Sequence, residues 1–252
     1  MKNANDMEVL VMTLRHRPDR YWYMLGMLDA RRFIPKEKCH TVMGKYWKDY
    51  KNLNEILDAM IKDGFPWAER LRDKSDDKVG WGFKASLWSA CRCLRYIASQ
   101  DKPYILTEDD YYLIIDRRDL IYRLKTLPED TEIAILDKHS GGQELYNDYW
   151  MRGWEKASGG TCVVYAPTGA QKALEIAEWH GITWENIGEH YPSETTYCVN
   201  GDEPLYQSNG YLNELITQDT SGWYGDGDIT EFKGYGHHSL YDRWVDGLNV
   251  KP

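Results

Sequence analysis

The sequence predicts an α/β domain: a largely parallel central sheet covered by helices on both faces. Three observations lead there. Short runs rich in apolar, β-forming residues alternate with amphipathic helical stretches for about two-thirds of the chain. The first of those runs, EVLVMTL, is apolar enough to be a buried strand. The 252 residues, 42% of them hydrophobic, supply enough material for one sizeable core. No internal repeat, low-complexity tract or clear linker divides the chain. One domain over 1–252 is therefore expected, with a core at about 8–180 and an irregular cap at about 181–252.

The elements follow in order. Glu8 to Leu14 reads as the first strand, and the proline of the following RHRPDR stops it. Asp19 is then a candidate N-cap for a helix through RYWYMLGMLDARR. Leu53, Ile56, Leu57, Met60 and Ile61 recur at helical spacing, and Gly64 with Pro66 closes that helix. The polar RLRDKSDDKVGWG reads as a loop. It leads into a helix carrying Leu87, Cys91, Leu94 and Ala98 on one stripe. YILT, a helix over roughly 116–125, and the strand EIAILD come next. SGGTCVVYAP supplies another strand, and TGAQKALEIAEWHG a helix opening with Thr168 and Gln171 in capping-box spacing and ending on Gly181. Beyond it the pattern loosens into Gly, Asp, Tyr and Trp.

Bulk composition excludes several classes. A net charge of −9 gives no general attraction to nucleic acid or an anionic membrane surface, although a local basic groove stays possible. No window approaches the roughly 20 apolar residues of a bilayer span, and the first residues lack a basic region followed by a long apolar stretch. A soluble, cytoplasmic protein is expected. The five cysteines, Cys39, Cys91, Cys93, Cys162 and Cys198, are odd in number and show no paired C-x-x-C spacing, which fits reduced thiols, with Cys91 and Cys93 packing inside a helix. Eleven Trp and 19 Tyr against 4 Phe favour rings with a hydrogen-bonding edge, of the kind that line polar grooves as well as cores.

Within YILTEDDYYL three consecutive carboxylates interrupt an apolar and aromatic run. An isolated acidic triplet is most often a solvated strand-to-turn junction. Here apolar residues on both sides make such an abrupt exposure costly. Strand alternation would turn Glu108 and Asp110 to one side and Asp109 to the other. Two carboxylates converging at a strand end suit Mg²⁺ or Mn²⁺, with water and phosphate oxygens completing the shell. In parallel sheets ligands gather at the carboxyl ends of strands, where both TLRHRPDR and TEDD lie.

Several segments, in order, resemble glycosyltransferase family 25, the lipooligosaccharide and procollagen galactosyltransferase-like group. VMTLRHRPDR resembles the family's first strand and N-L-x-x-R-P-x-R turn, and ILTEDDYYL its L-I-L-E-D-D segment. GWGFKASLWSACRCLRYI resembles its G-C-x-x-S-H helix start at Gly82 and Ser86. SGGTCVVYAPTGAQKALE resembles its later strand and G-A-x-x-L-L helix. Thr13 stands where the family has Asn, Phe83 where it has Cys, and Leu87 where it has His.

The resemblance implies a nucleotide-diphosphosugar transferase fold of the GT-A type, a divalent metal at the acidic motif, and inverting transfer. Asp110 would ligate the ion, with Glu108 or Asp109 holding ribose or a metal-bound water, and Thr13 would border the donor. Arg15, Arg17 and Arg20 crowd the end of the first strand, where they could pair with uracil or phosphate oxygens unless they form a solvated basic turn. Lys84 and Ser86, near the expected helix start, could face phosphate or simply serve helix entry. An inverting enzyme needs a base for the acceptor hydroxyl. Asp202 and Glu203 in VNGDEPLY are the candidates, with Asp226 and Asp228 as rivals. His238, beside His237, could add a late metal or phosphate contact or be a surface residue.

The expected partners are a nucleotide-sugar donor, UDP-linked by the resemblance, and a hydroxyl acceptor, with a glycan or lipid-linked saccharide favoured. A hydroxymethylated base in viral DNA is the alternative acceptor and would require that local basic groove. A non-catalytic nucleotide-sugar or carbohydrate-binding module is a second class, against which the intact acidic triplet argues. A glycosidase would need carboxyls about 5–9 Å apart across a sugar, an arrangement that adjacent residues at a strand end do not offer.

Overall fold

Glu8–Thr13, six consecutive buried residues, forms strand β1 in the interior of the sheet, in a computed structural model. The structure describes residues 1–16, 18–33, 39–72, 78–109, 111–113, 115–136, 144–153, 162–180, 193–200 and 206–208. Helix α1 (Pro18–Ala30) returns the chain to β2 (Cys39–Met43). Helix α2 (Leu53–Lys62) and the long α3 (Lys78–Ala98) follow. Next come β3 (Tyr104–Glu108), β4 (Tyr111–Leu113), α4 (Arg117–Lys125) and β5 (Ile133–Ile135). Strands β6 (Glu144–Leu145), β7 (Trp150–Arg152) and β8 (Cys162–Tyr165) precede α5 (Pro167–His180). Strands β9 (Thr196–Val199) and β10 (Tyr206–Ser208) are the last described.

Eight strands make one mixed sheet in the order β2-β1-β3-β8-β5-β9-β7-β6, and β4 pairs with β10 in a small antiparallel ribbon. Following the pairings outward from β1, strands β2, β3, β5, β9 and β6 run with it. Strands β8 and β7 run against it. Six of the eight therefore share one direction, and the run β2-β1-β3 is parallel throughout.

Alternate residues of each strand feed two cores. Val9, Val11, Ile105 and Val164 pack against Tyr21, Met24 and Leu28 of α1 and against Leu120 and Leu124 of α4. Leu10, Met12, Leu106, Ile135 and Val163 pack against Ala90, Cys93, Leu94 and Ile97 of α3 and against Ala170 and Ala173 of α5. Helix α2 lies outside this second layer and buries Leu53, Ile56, Leu57 and Met60 against Trp88, Leu87 and Cys91. A capping box holds its start: Asn52 Oδ1 accepts from the Glu55 amide at 3.0 Å, and Glu55 accepts from the Lys51 amide at 2.8 Å. Among the described residues no helix is long and apolar enough to cross a membrane.

Several local expectations are corrected. Helix α1 begins at Pro18, so Asp19 sits within its first turn and is not the cap; proline's fixed φ suits the first helical position. Pro167 likewise lies inside the start of α5. Thr168 is therefore helical, and Gln171 reaches forward to Glu175 (3.0 Å) instead of back to a cap. Helix α3 starts at Lys78, well before the expected entry near Lys84 and Ser86. The sheet also does not end near residue 180, because β9 lies between β5 and β7 with all four residues buried.

Close packing of α5 on the sheet requires a glycine. A Cβ on Gly169 would lie 2.2 Å from the carbonyl oxygen of Glu132, which accepts the Ala166 amide at 2.9 Å. Glu132 is itself buried and takes Lys172 Nζ at 2.6 Å and Thr195 Oγ1 at 2.7 Å. These bonds join the start of β5, helix α5 and the segment before β9.

Candidate functional site

The parallel strands β2, β1 and β3 finish side by side, and residues just past their ends share one edge of the sheet. The ladder between β1 and β3 runs to Met12 opposite Glu108, so the next step brings Thr13 opposite Asp109. Thr13 Oγ1 donates to Asp109 Oδ2 at 2.5 Å, and both side chains are buried. Strand alternation turns Glu108 the other way, towards α3. Burial pushes the Cys93 thiol of α3 up, Arg92 lowers it, and the nearby Glu108 charge adds to the rise. Glu108 is thus near Cys93 of α3, and Asp109 meets Thr13 of β1. Asp109 is not an outward acid but one tied to its neighbouring strand.

The exit of β2 closes onto that of β1. The Gly44 amide donates to the Thr13 carbonyl at 2.7 Å. A Cβ at Gly44 would come within 3.1 Å of Leu14 Cδ2 and 3.2 Å of that carbonyl. A side chain there would require its neighbours to give by a few tenths of an ångström. Immediately after it the Lys45 amide donates to Ser89 Oγ of α3 at 2.7 Å. Ser89 Oγ in turn donates to the Ala85 carbonyl. The Lys45 ammonium sits 4.4 Å over the Trp88 ring. Burial and the neighbouring Arg92 lower the pKa of Lys45, partly opposed by Asp63. Arg92 is anchored by Asp63 (3.3 Å) and the Met43 carbonyl (3.2 Å). Tyr46 stacks at 4.0 Å on His16 from the β1 exit, and Trp47 meets Trp81 of α3 edge-on at 5.9 Å.

These residues escape the sequence reading because it does not contain β2. The signal lies in VMGKYW, an apolar run ending on glycine, lysine and two aromatics.

The other expected residues divide as follows. Arg15 is exposed and Arg20 half-buried at the turn between β1 and α1. Lys84 and Ser86 are half-buried within α3, beyond its first turn. Their backbone amides are not helix-terminal donors, so the expected helix-start phosphate site is not formed by them. Arg17, Asp110, Asp202, Glu203, Asp226, Asp228, His237 and His238 lie outside the described residues. Glu108 and Asp109 offer carboxylate oxygens, the donor type that hard divalent ions take. Among the described residues no three His, Cys, Asp or Glu side chains converge as a metal site.

No family model and no curated protein matches this chain. Among the solved structures similar to it are two transferases. Mouse xyloside xylosyltransferase 1 in its apo form aligns with a TM-score of 0.40 and 11% identity, over 75% of this chain and 83% of its own. Mannose-1-phosphate geranyltransferase from Thermus thermophilus aligns with a TM-score of 0.36 and 14% identity, over 85% of this chain and 80% of its own. Similarity of this degree carries no weight for the chemistry of the site, which rests on the residues themselves.

Proposed function

We propose that this chain is a metal-dependent, inverting glycosyltransferase of the GT-A type that moves a sugar from a UDP-linked donor to a hydroxyl on a saccharide acceptor. The observation that carries the reading is the acidic motif at the tip of β3, placed where three parallel strands end and flanked by cationic and aromatic side chains from the β1 and β2 exits. That edge is where open α/β sheets bind nucleotides.

Thr13 and Asp109 hold the two strand tips together, which steadies the backbone at Glu108, and Asp110 follows in the sequence. Their donor chemistry fits Mg²⁺ or Mn²⁺, with Asp110 and Glu108 as protein ligands. Such an ion neutralises the charge that grows on the departing diphosphate. Arg15 at the β1 exit and Lys45 at the β2 exit would oppose the same charge, an interaction stronger in the transition state than in the ground state. The Tyr46, Trp47 and Trp81 rings offer flat, half-buried surfaces for the uracil or the sugar. Asp202 or Glu203 would accept the acceptor's hydroxyl proton as oxygen attacks the anomeric carbon.

The test is a thermal-shift screen of nucleotide sugars with and without Mn²⁺, followed by an assay for released nucleoside diphosphate. We expect one uridine diphosphosugar to stabilise the protein only with metal, and Asp110→Ala to abolish the effect. Equal stabilisation in EDTA, or an unaffected variant, would remove the acidic motif from the mechanism.

A further inference from the structure

At the opposite edge of the sheet from Asp109, a groove of about 410 Å³ is bordered by Arg32, Arg117, Arg118, Ile121, Tyr122 and Lys125. Asn5, which also borders it, lies just before β1 begins, whereas Thr13 lies where β1 ends. At the rise of a strand the two edges are separated by roughly 16 Å. The groove is thus distinct from the strand-tip site.

Among the described residues that border it four are cationic and none is a carboxylate, in a chain whose net charge is −9. Arg118, Ile121, Tyr122 and Lys125 follow one another at i, i+3, i+4 and i+7 along α4, so they share one stripe. The walls are then aliphatic stems and a ring, and the rim is charged. The nearby acids are engaged elsewhere or weakly held: Asp116 faces Arg31 at 3.9 Å, and Asp119 meets Arg118 at 3.3 Å in an exposed pair. Arg117 is fixed by bonds to the carbonyls of Asn5 (2.7 Å) and Met7 (3.4 Å). Its amide donates to the Arg31 carbonyl at 3.0 Å, which ties the start of α4 to the end of α1 and sets Arg32 beside it. Tyr122 is 60% exposed and makes an edge contact with Tyr149. An exposed ring among cations, of which Arg117 is anchored, fits a ligand with a flat body and several negative charges.

We propose that this groove is a second binding site, independent of metal, for a nucleotide bearing two or more phosphoryl charges: Arg118, Arg32 and Lys125 take the phosphates, and the Tyr122 ring stacks on the base. The volume suits one small ligand. The acidic charge of the rest of the chain disfavours a long polyanion or an anionic lipid surface.

Isothermal titration of the intact chain in EDTA, with inorganic pyrophosphate and with adenosine diphosphate as probes, tests the assignment. Both should bind saturably, the nucleotide more tightly. The double variant Arg118→Glu, Lys125→Glu changes only side chains on the outer surface of α4 and should keep the wild-type circular dichroism. It should weaken both ligands at least tenfold. Tyr122→Ala should weaken adenosine diphosphate several-fold and leave pyrophosphate unchanged. Asp110→Ala should bind both as wild type does, which separates this site from the proposed donor site. Absence of saturable binding in EDTA, or equal affinity in the double variant, overturns the proposal. So does binding to phosphatidylserine vesicles alone.

Discussion

Thr13 and Asp109 are joined by a 2.5 Å hydrogen bond that continues the β1–β3 ladder one step beyond its last backbone pair. Both residues are buried, and the bond satisfies a carboxylate that would otherwise face the packed end of the sheet.

Removing the hydroxyl should therefore be felt at once. Thr13→Val, which keeps the shape, should lower stability by about 2 kcal/mol in urea denaturation, since a buried carboxylate loses a partner. Thr13→Ser should recover most of that loss. A Thr13→Val midpoint equal to wild type would show that the bond contributes nothing to the fold.

A second prediction concerns acid. Glu8, at the start of β1, takes bonds from His40 Nε2 at 2.6 Å, Lys102 Nζ at 2.8 Å and the Tyr104 hydroxyl at 2.9 Å. Burial alone would raise its pKa, but these three partners outweigh burial and hold it below the ordinary 4.5. A carboxylate depressed in the folded state contributes stability above its unfolded pKa and loses it as pH falls through the folded one. The wild type should lose stability as pH falls below about 4.5, and Glu8→Gln should show a shallower slope there. At pH 7 the variant should be less stable by about 2 kcal/mol. Parallel slopes for the two proteins would assign the acid sensitivity elsewhere.

Two glycine substitutions should have opposite signs. Gly169→Ala drives a methyl group into the Glu132 carbonyl and should cost about 3 kcal/mol. Gly26→Ala, within α1, meets nothing within 4 Å and should stabilise by roughly 0.5–1 kcal/mol, through helix propensity. Paired thermal melts decide the matter, and a harmless Gly169→Ala would mean that α5 sits further from the sheet.

The cysteines should be inert in the folded state. All five are buried, and burial pushes the thiols of Cys39, Cys91 and Cys198 up to about 12. Almost no thiolate is then present at a pH of about 7.5. A chromogenic disulfide reagent should find no fast-reacting thiol in the native protein and all five after unfolding in urea. A rapid native reaction at any one position would show that its surroundings open readily.

Much of the scaffold is legible in the sequence because burial along one segment leaves a local pattern. The apolar run before Thr13, the stripe Leu53–Ile56–Leu57–Met60, and the strand leading into Glu108 each announce their own element and which side of it is buried. Helix starts are less readable, since Pro18 and Pro167 open helices where the pattern suggests a polar cap. The sequence by itself thus determined the alternation of elements and the acidic motif at a strand end. Tertiary structure alone decided which segments became neighbours. It set β9 between β5 and β7, tied Asp109 to Thr13, gathered three partners around Glu8, and brought Arg32 beside the α4 stripe. The physical reason is separation along the chain: these contacts join residues tens of positions apart, and pairing between strands, which local periodicity does not encode, brings them together.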